Sequence, residues 1–435
     1  MTRPGSNAPR PHPRRGRGGG GGGGGRHRDG GPGNPSSTLP KPDLHEIADA
    51  ARAAGRIAFD TEFMGEGRYR TLLCLIQLAV PGPSADQGQL AQGERIELID
   101  PLEESLDGSP LADVLADPAI QVVVHAGRQD VALVRRRFQT DVSNIFDTQI
   151  AAGFAGLPAQ ASYETLLARL LDVRVAKSAS FTRWDLRPLS PEQLAYARED
   201  VVHLLALAGE LERRLRSLGR LTWAREECEP VARSTDERDL DLVFAKLPRV
   251  RGLSAPAQGI ARELLDWRER LAADQDRPVQ SILSDAALME IAKRKPDSTE
   301  RLAQIRGVNQ DSLRRRGQDL LDAVARGAER PPEELPTAGR PPAIDAADPP
   351  LIALAEALVR ARANEAGLAY ELLASRADLQ AIAISRRQNA DEPDVRTLRG
   401  WRRELVGREL LELLDGRISL SVDRDGPAPA RLRIV

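Results

Sequence analysis

Apolar and polar positions along the chain follow two different periods. Up to about residue 217 the pattern switches between strand and helix. Helical spacing over residues 45–54 leads into Arg56-Ile57-Ala58-Phe59-Asp60-Thr61-Glu62-Phe63, which reads as a strand. Residues 71–80 (TLLCLIQLAV) are almost continuously apolar, as in a strand covered on both faces. Residues 97–100, 122–125 and 144–147 supply three shorter strands, with a helix over 131–138 between the last two. Three strands close in sequence, then strand-helix-strand, predict a mixed sheet flanked by helices. Ser190-Pro191-Glu192 opens a long helix to about residue 218, with serine as N-cap and proline in the first turn.

Beyond this α/β region the period is helical. Residues 219–250 read as an irregular connection with some helix. Residues 257–326 are helical, with loops at Arg277-Pro278 and Lys295-Pro296. A linker with seven prolines (330–350) precedes a second helical block, 351–414. The blocks echo each other. Ile282-Leu283 before Leu288, Ile291 and Ala292 is matched by Leu372-Leu373 before Leu379, Ile382 and Ala383. The offset, roughly 90 residues, is that of a duplicated domain rather than a solenoid repeat. The first 40 residues hold 13 glycines and seven prolines, cannot bury a core and are expected to be disordered. The expected organisation is a tail (1–41), an α/β domain (42–218), a connector (219–250), a helical domain (251–329), a linker (330–350) and a second, diverged helical domain (351–416). Residues 417–435 alternate weakly and receive no element.

Composition narrows the function. The 435-residue chain has a net charge of -2, while its first 40 residues carry seven Arg and one Asp, so the body is acidic. An acidic body that handles nucleic acid has to concentrate basic surface locally or meet phosphate through metal ions. No run approaches the ~18 uncharged apolar residues of a membrane span, and the start lacks the apolar core of a secretory signal. Two cysteines, Cys74 and Cys228, exclude a disulfide scaffold and a four-cysteine zinc site and suit a reducing cytoplasm. Five scattered histidines show no zinc-ligand spacing. No phosphate-binding Gly-x-x-x-x-Gly-Lys loop or Gly-x-Ser-x-Gly elbow occurs, which argues against an NTPase, a nucleotide cofactor and a serine hydrolase.

The candidate chemistry is acidic. On the strand 56–63, Asp60 and Glu62 share one face, and Phe59, Thr61 and Phe63 point to the other. Adjacent carboxylates repel unless a cation or a shared proton lies between them. Asp130 falls in the first turn of the helix after the fourth strand, where an acid also suits the helix dipole. Tyr196 and Asp200, four residues apart, share a helix face. Four acids from separate elements above a buried sheet suit two-metal phosphodiester hydrolysis, with a tyrosine to orient the water.

Asp60-Thr61-Glu62-Phe63, Leu73-Cys74-Leu75-Ile76-Gln77-Leu78, His125-Ala126 with Asp130, Phe146-Asp147-Thr148-Gln149, Lys177-Ser178 through Trp184, Arg187-Pro188-Leu189, and Tyr196 with Asp200 resemble, in order and spacing, the ribonuclease D family. That family belongs to the DEDD 3′→5′ exonucleases, in the branch with a tyrosine. The resemblance implies a ribonuclease-H-like fold, with Asp60, Glu62, Asp130 and Asp200 holding two Mg²⁺ or Mn²⁺ ions, Asp60 bridging them, and Tyr196 positioning the water. Asp147 then reads as structural. Gln77, His125, Lys177, Arg183 and Trp184 are candidate substrate contacts, with Arg187 as a further phosphate contact. Trp184 reads equally as core, and His125 as a packed or orienting residue. The helical blocks resemble HRDC domains, the first through Leu264-Leu265-Asp266-Trp267-Arg268 and Ile305-Arg306-Gly307-Val308. Arg314-Arg315-Arg316 is a solvated face or a phosphate clamp. The implied activity is trimming of structured RNA 3′ ends, tRNA precursors among them, with release of 5′-mononucleotides. A DNA exonuclease of the same fold and an inert nucleic-acid-binding scaffold are the alternatives. The catalytic domain alone is expected to cut, with residues 257–435 mainly holding RNA.

Overall fold

The computed structural model describes residues 39–82, 93–175, 183–308, 310–331, 345–423 and 431–435. Helix α1 (Leu44–Ala54) starts where the Asp43 side chain accepts the N–H groups of His45 and Glu46, and ends at Gly55 in the left-handed conformation (φ 67°). That turn feeds β1 (Arg56–Met64), followed by β2 (Leu72–Pro81), β3 (Glu94–Ile99), α2 (Ser109–Ala116), β4 (Gln121–Val124), α3 (Arg128–Phe138), β5 (Ile145–Asp147), α4 (Thr148–Phe154) and α5 (Tyr163–Leu170). The sheet order is β3-β2-β1-β4-β5. The β1–β2 and β2–β3 pairs are antiparallel, and β1–β4 and β4–β5 are parallel. This is the mixed, helix-flanked sheet that the pattern predicts.

Strand β2 is buried along almost its whole length, as its unbroken apolar run requires. One sheet face (Ile57, Phe59, Ile76, Val122) packs under α1, α2 and α3. The other (Ala58, Ala79, Val123) packs under α4, α5 and α7. Each fully buried Leu, Ile or Phe in these layers contributes about 1.5–3 kcal/mol relative to exposure.

The long helix expected over 190–218 is two helices, α6 (Pro191–Val202) and α7 (Leu204–Ser217), broken at His203 (φ -115°, ψ 5°). At the break the His203 N–H donates to Tyr163 Oη (3.3 Å), an acceptor brought in by α5 that local periodicity does not reveal. The connector is also more ordered than its sequence suggests. Helix α8 (Leu221–Ala232) buries Ala224, Cys228 and Val231 against the sheet domain, and α9 (Leu240–Ala245) follows.

The first helical block comprises α10 (Ala255–Asp274), α11 (Val279–Ile282), α12 (Asp285–Arg294), α13 (Thr299–Ala303) and α14 (Gln310–Ala328) around its own core. It also meets the sheet domain. Asp276 accepts the Tyr69 N–H (3.1 Å) and pairs with Arg68 (2.6 Å), and the Tyr69 ring packs near Ala272 and Ile282. The turn after the acid-bearing strand is thereby fastened to α10.

The second block comprises α15 (Asp348–Ala366), α16 (Tyr370–Leu373), α17 (Arg376–Arg387), α18 (Gly400–Arg402) and α19 (Arg408–Leu414). The sequence echo is structural: Ile282 and Leu373 lie in one-turn helices, and Leu288, Ile291, Leu379 and Ile382 are buried in the helices that follow. Unlike the first block, the second shares one apolar core with the sheet domain. Trp401 stacks on Trp223 (5.0 Å, 12°) and meets Phe154 edge-on (5.2 Å). Arg402 pairs with Glu227, and Arg220 donates to the carbonyls of Phe154 and Ala366. The block is therefore not separable as expected, because removing it uncovers part of the sheet domain's core. An antiparallel pair of β6 (Leu420–Asp423) and β7 (Arg431–Ile434) lies in the stretch 417–435, which periodicity left without an element. Residues 1–38, Lys177 and most of the proline-rich linker lie outside the described residues.

Trp401→Ala should cost about 3–5 kcal/mol and lower the urea midpoint of the whole α/β domain in one transition. Two separate transitions, with only the second shifted, would contradict the shared core.

Candidate active site

Asp60 and Glu62 reach the site because β1 is central in the sheet and alternation puts both on the face covered by α6. Their register partners on β2 are Gln77 and Leu75. The next pair, Phe63 with Leu73, skips Cys74, so a bulge on β2 lies beside the acids.

Asp130 is delivered by a tight turn after β4. Ala126 is left-handed (φ 53°), and a Cβ on Gly127 would lie 2.5 Å from the Val124 side chain, so only glycine fits there. Asp147 fixes this turn. Its two oxygens accept the N–H groups of Ala126 (3.1 Å) and Gly127 (3.0 Å), and it also caps α4 through Gln149 (2.9 Å). Asp147 thus has the structural role expected of it. The Asp130 side chain, 7% exposed, accepts the Thr61 hydroxyl.

Tyr196 and Asp200 come from α6, whose start is set by a Ser190–Gln193 capping box. Their side chains are hydrogen-bonded to each other. The other Asp200 oxygen, Oδ2, is buried and has no hydrogen-bond partner.

The electrostatics show that these acids meet. Burial, then Asp130, Asp200 and Glu62 in that order, hold the Asp60 carboxyl well above the usual range. Glu62 is pushed up to about 8 by burial, then by Asp200 and Asp130. Asp200 rises to about 7 through burial, against the Tyr196 hydrogen bond. Asp130 rises to about 6 through burial, against the Thr61 hydrogen bond. Burial, then Asp200 and Glu62, raise the Tyr196 phenol. Among the described residues, no three His, Cys, Asp or Glu side chains are grouped so that they could hold a metal ion as they stand. The site is a set of neighbouring carboxyls rather than a finished coordination sphere.

Known proteins similar to this chain show the family to which it belongs. Residues 39–216 match the family described as 3'-5' exonuclease, and residues 257–324 match the HRDC domain. Ribonuclease D of Granulibacter bethesdensis is 35% identical over 393 residues, covering 89% of this chain and 95% of the relative. The chain belongs to the ribonuclease D family. It is a 3′→5′ exoribonuclease. Ribonuclease D of Gluconacetobacter diazotrophicus is likewise 35% identical, over 88% of this chain and 93% of its own length. Among solved structures, Escherichia coli RNase D, described as an exoribonuclease involved in structured RNA processing, has a TM-score of 0.69 at 28% identity. That match covers 86% of this chain and 96% of the other. A protein from Bifidobacterium adolescentis, 20% identical, shares the fold (TM-score 0.63, 88% and 98% covered).

Against this ribonuclease D frame, the weaker candidates separate. Gln77 is 0% exposed and Trp184 3% exposed, so neither touches RNA; both are corrected to buried neighbours of the acids. Trp184 packs beside Tyr196 (6.1 Å). Arg187 is bound to both Asp100 oxygens (2.6 Å each) and to the Cys74 carbonyl, so it locks the α6 approach rather than meeting phosphate. Arg183 is exposed and paired with Asp185 (2.9 Å). His125 bonds Thr148 Oγ1 through Nδ1 (2.9 Å) and lies against Tyr163 (5.7 Å). Sequence reasoning missed Thr61 and Tyr163. The first lies inside the Asp-Thr-Glu motif and was legible as its middle residue, whereas no local signal marks the second.

The raised Glu62 carboxyl has a testable consequence. An acid with a folded pKa above its unfolded value destabilises progressively as pH climbs from the unfolded to the folded value, here from about 4.5 to about 8. In EDTA at pH 8, Glu62→Gln should therefore be more stable than the parent by about 1–2 kcal/mol. Near pH 4 that advantage should vanish. Thermal melts at both pH values measure it, and a parent more stable at pH 8 would refute the repulsion.

Proposed function

We propose that this exoribonuclease trims the 3′ ends of structured RNA, tRNA precursors among them, and releases 5′-mononucleotides. Asp60, Glu62, Asp130 and Asp200 would hold two divalent ions, Mg²⁺ or Mn²⁺. The observation that carries this reading is the convergence of four carboxyls from β1, α3 and α6 in a largely buried site, with Asp200 Oδ2 left unpaired. The donors are all oxygens, which suits hard cations, and dependence on divalent metal is general to this exonuclease fold. Such ions, when bound, lower the pKa of water and neutralise phosphate charge.

The remaining work falls to the chain. Asp60, on which Asp130, Asp200 and Glu62 all act, would be a ligand to the ions in this reading. Thr61 fixes the direction of Asp130 by donating to one of its oxygens. The Tyr196 hydroxyl is bonded to Asp200, and a phenolic oxygen of this kind can also accept a hydrogen bond from the attacking water. Trp184 keeps that ring in place. Arg183, on the exposed segment before α6, can exchange Asp185 for a backbone phosphate, and His125 packs on Tyr163 and bonds Thr148.

We assign residues 42–218 to the exonuclease domain and 251–329 to the first HRDC domain, which carries the RNA body. Arg314 and Arg315 lie exposed on its α14. Residues 351–416 form the diverged second copy, serving as cover for the catalytic core. Among the described residues no helix is long and apolar enough to cross a membrane. Free, buried Cys74 and Cys228 suit a reducing cytoplasm.

On a 3′-extended tRNA transcript with Mg²⁺, the chain should produce a ladder shrinking from the 3′ end, faster than on DNA of the same sequence. EDTA or Asp60→Asn should abolish it, the mutant losing at least about 10³-fold in rate. Faster cutting of DNA, or an undiminished Asp60→Asn, would overturn the proposal.

A further inference from the structure

We propose that Tyr163 is a positioning residue for Asp200: its hydroxyl pins the helix break at His203 and so sets where the last turn of α6 aims its carboxyl. The inference rests on the reading of Asp200 as a metal ligand.

Asp200 sits three residues before the break, in a turn that no following helical residue extends in register. The His203 N–H reaches only the Val201 carbonyl within its own helix, a contact two residues back. Its other acceptor is Tyr163 Oη at 3.3 Å. The end of α6 is thereby tied to the first residue of α5, forty positions earlier in the chain.

Tyr163 is itself braced. Ser162 caps α5 by accepting the Thr165 N–H, which fixes the backbone that carries the ring. The ring lies against His125 (5.7 Å, tilted by 54°). His125 bonds the Thr148 hydroxyl (2.9 Å), which lies 3.0 Å from the Val124 carbonyl at the end of β4. The turn that leads to Asp130 begins at that same strand end. One chain of contacts therefore runs from β4, through Thr148, His125 and Tyr163, to the break after Asp200. It spans the two sides of the acid cluster without using any of the four acids. Packing on His125 needs only an aromatic ring, so a phenylalanine would serve for that. The hydroxyl is needed for the bond to His203.

Loss of this one hydrogen bond should leave the fold intact and loosen the direction of Asp200. The test is Mn²⁺ binding to the full chain by titration calorimetry, comparing the parent, Tyr163→Phe and Asp200→Asn, with melts in EDTA alongside. Tyr163→Phe should raise the dissociation constant of the weaker Mn²⁺ event about 3–10-fold with its melting temperature in EDTA unchanged. The metal concentration for half-maximal cleavage should rise by the same factor, and excess metal should recover the rate. If Tyr163→Phe binds Mn²⁺ like the parent while Asp200→Asn loses an event, the positioning role is wrong and the ligand reading stands. Should Asp200→Asn bind like the parent, the ligand reading fails and takes the inference with it. A drop in melting temperature for Tyr163→Phe that accounts for the weaker binding would reduce Tyr163 to a structural residue and also overturn the proposal.

Discussion

Mutual repulsion among half-buried carboxyls is the constraint on which the rest of this molecule turns. Asp60 is crowded by three other acids, and burial removes the water that would screen them. Left alone, such a site would relax by swinging side chains to solvent or by loosening the elements that bear them. The surrounding structure prevents this by fixing each acid's backbone separately. Asp60 and Glu62 ride a central strand paired with β2 at both acids and with β4 just before them. Asp130 follows a turn closed by Asp147, and its oxygen is held by Thr61. Asp200 ends a helix whose start, ring contacts and break are all defined.

The same logic explains why distant parts of the chain serve the site. The turn after β1 is fastened to the HRDC domain by Asp276, and α4 is roofed by Trp401 of the second helical block. These contacts stiffen the layers that carry the acids, opposing the repulsion with apolar burial far from the charges. The two helical blocks thus differ physically. One keeps its own core and exposed arginines, and the other has given its apolar face to the catalytic domain.

Much of this was legible in the sequence. Strand alternation placed Asp60 and Glu62 together, the unbroken apolar run marked β2 as doubly covered, and the spacing of Asp130, Tyr196 and Asp200 matched one family. What was not legible depends on contacts between remote segments. The break at His203 interrupts a helical pattern where its N–H meets a hydroxyl forty residues upstream. Periodicity marks Trp401 and Leu410 as buried but does not say against what, so the second block looked independent. Gln77, Trp184 and Arg187 were read as contacts because their residue types suit RNA. Their burial and pairing, with Arg187 held by Asp100, show them supporting the acids from behind.

Before a cation binds, the raised carboxyls hold protons that it would displace. Calorimetric Mg²⁺ titrations at pH 7, in two buffers of different ionisation enthalpy, read that exchange directly. With Glu62 raised to about 8 and Asp200 to about 7 before binding, a net release of about one proton or more per chain is expected, lost in Asp60→Asn. Binding with no proton release would mean the acids are already ionised, and would contradict that expectation.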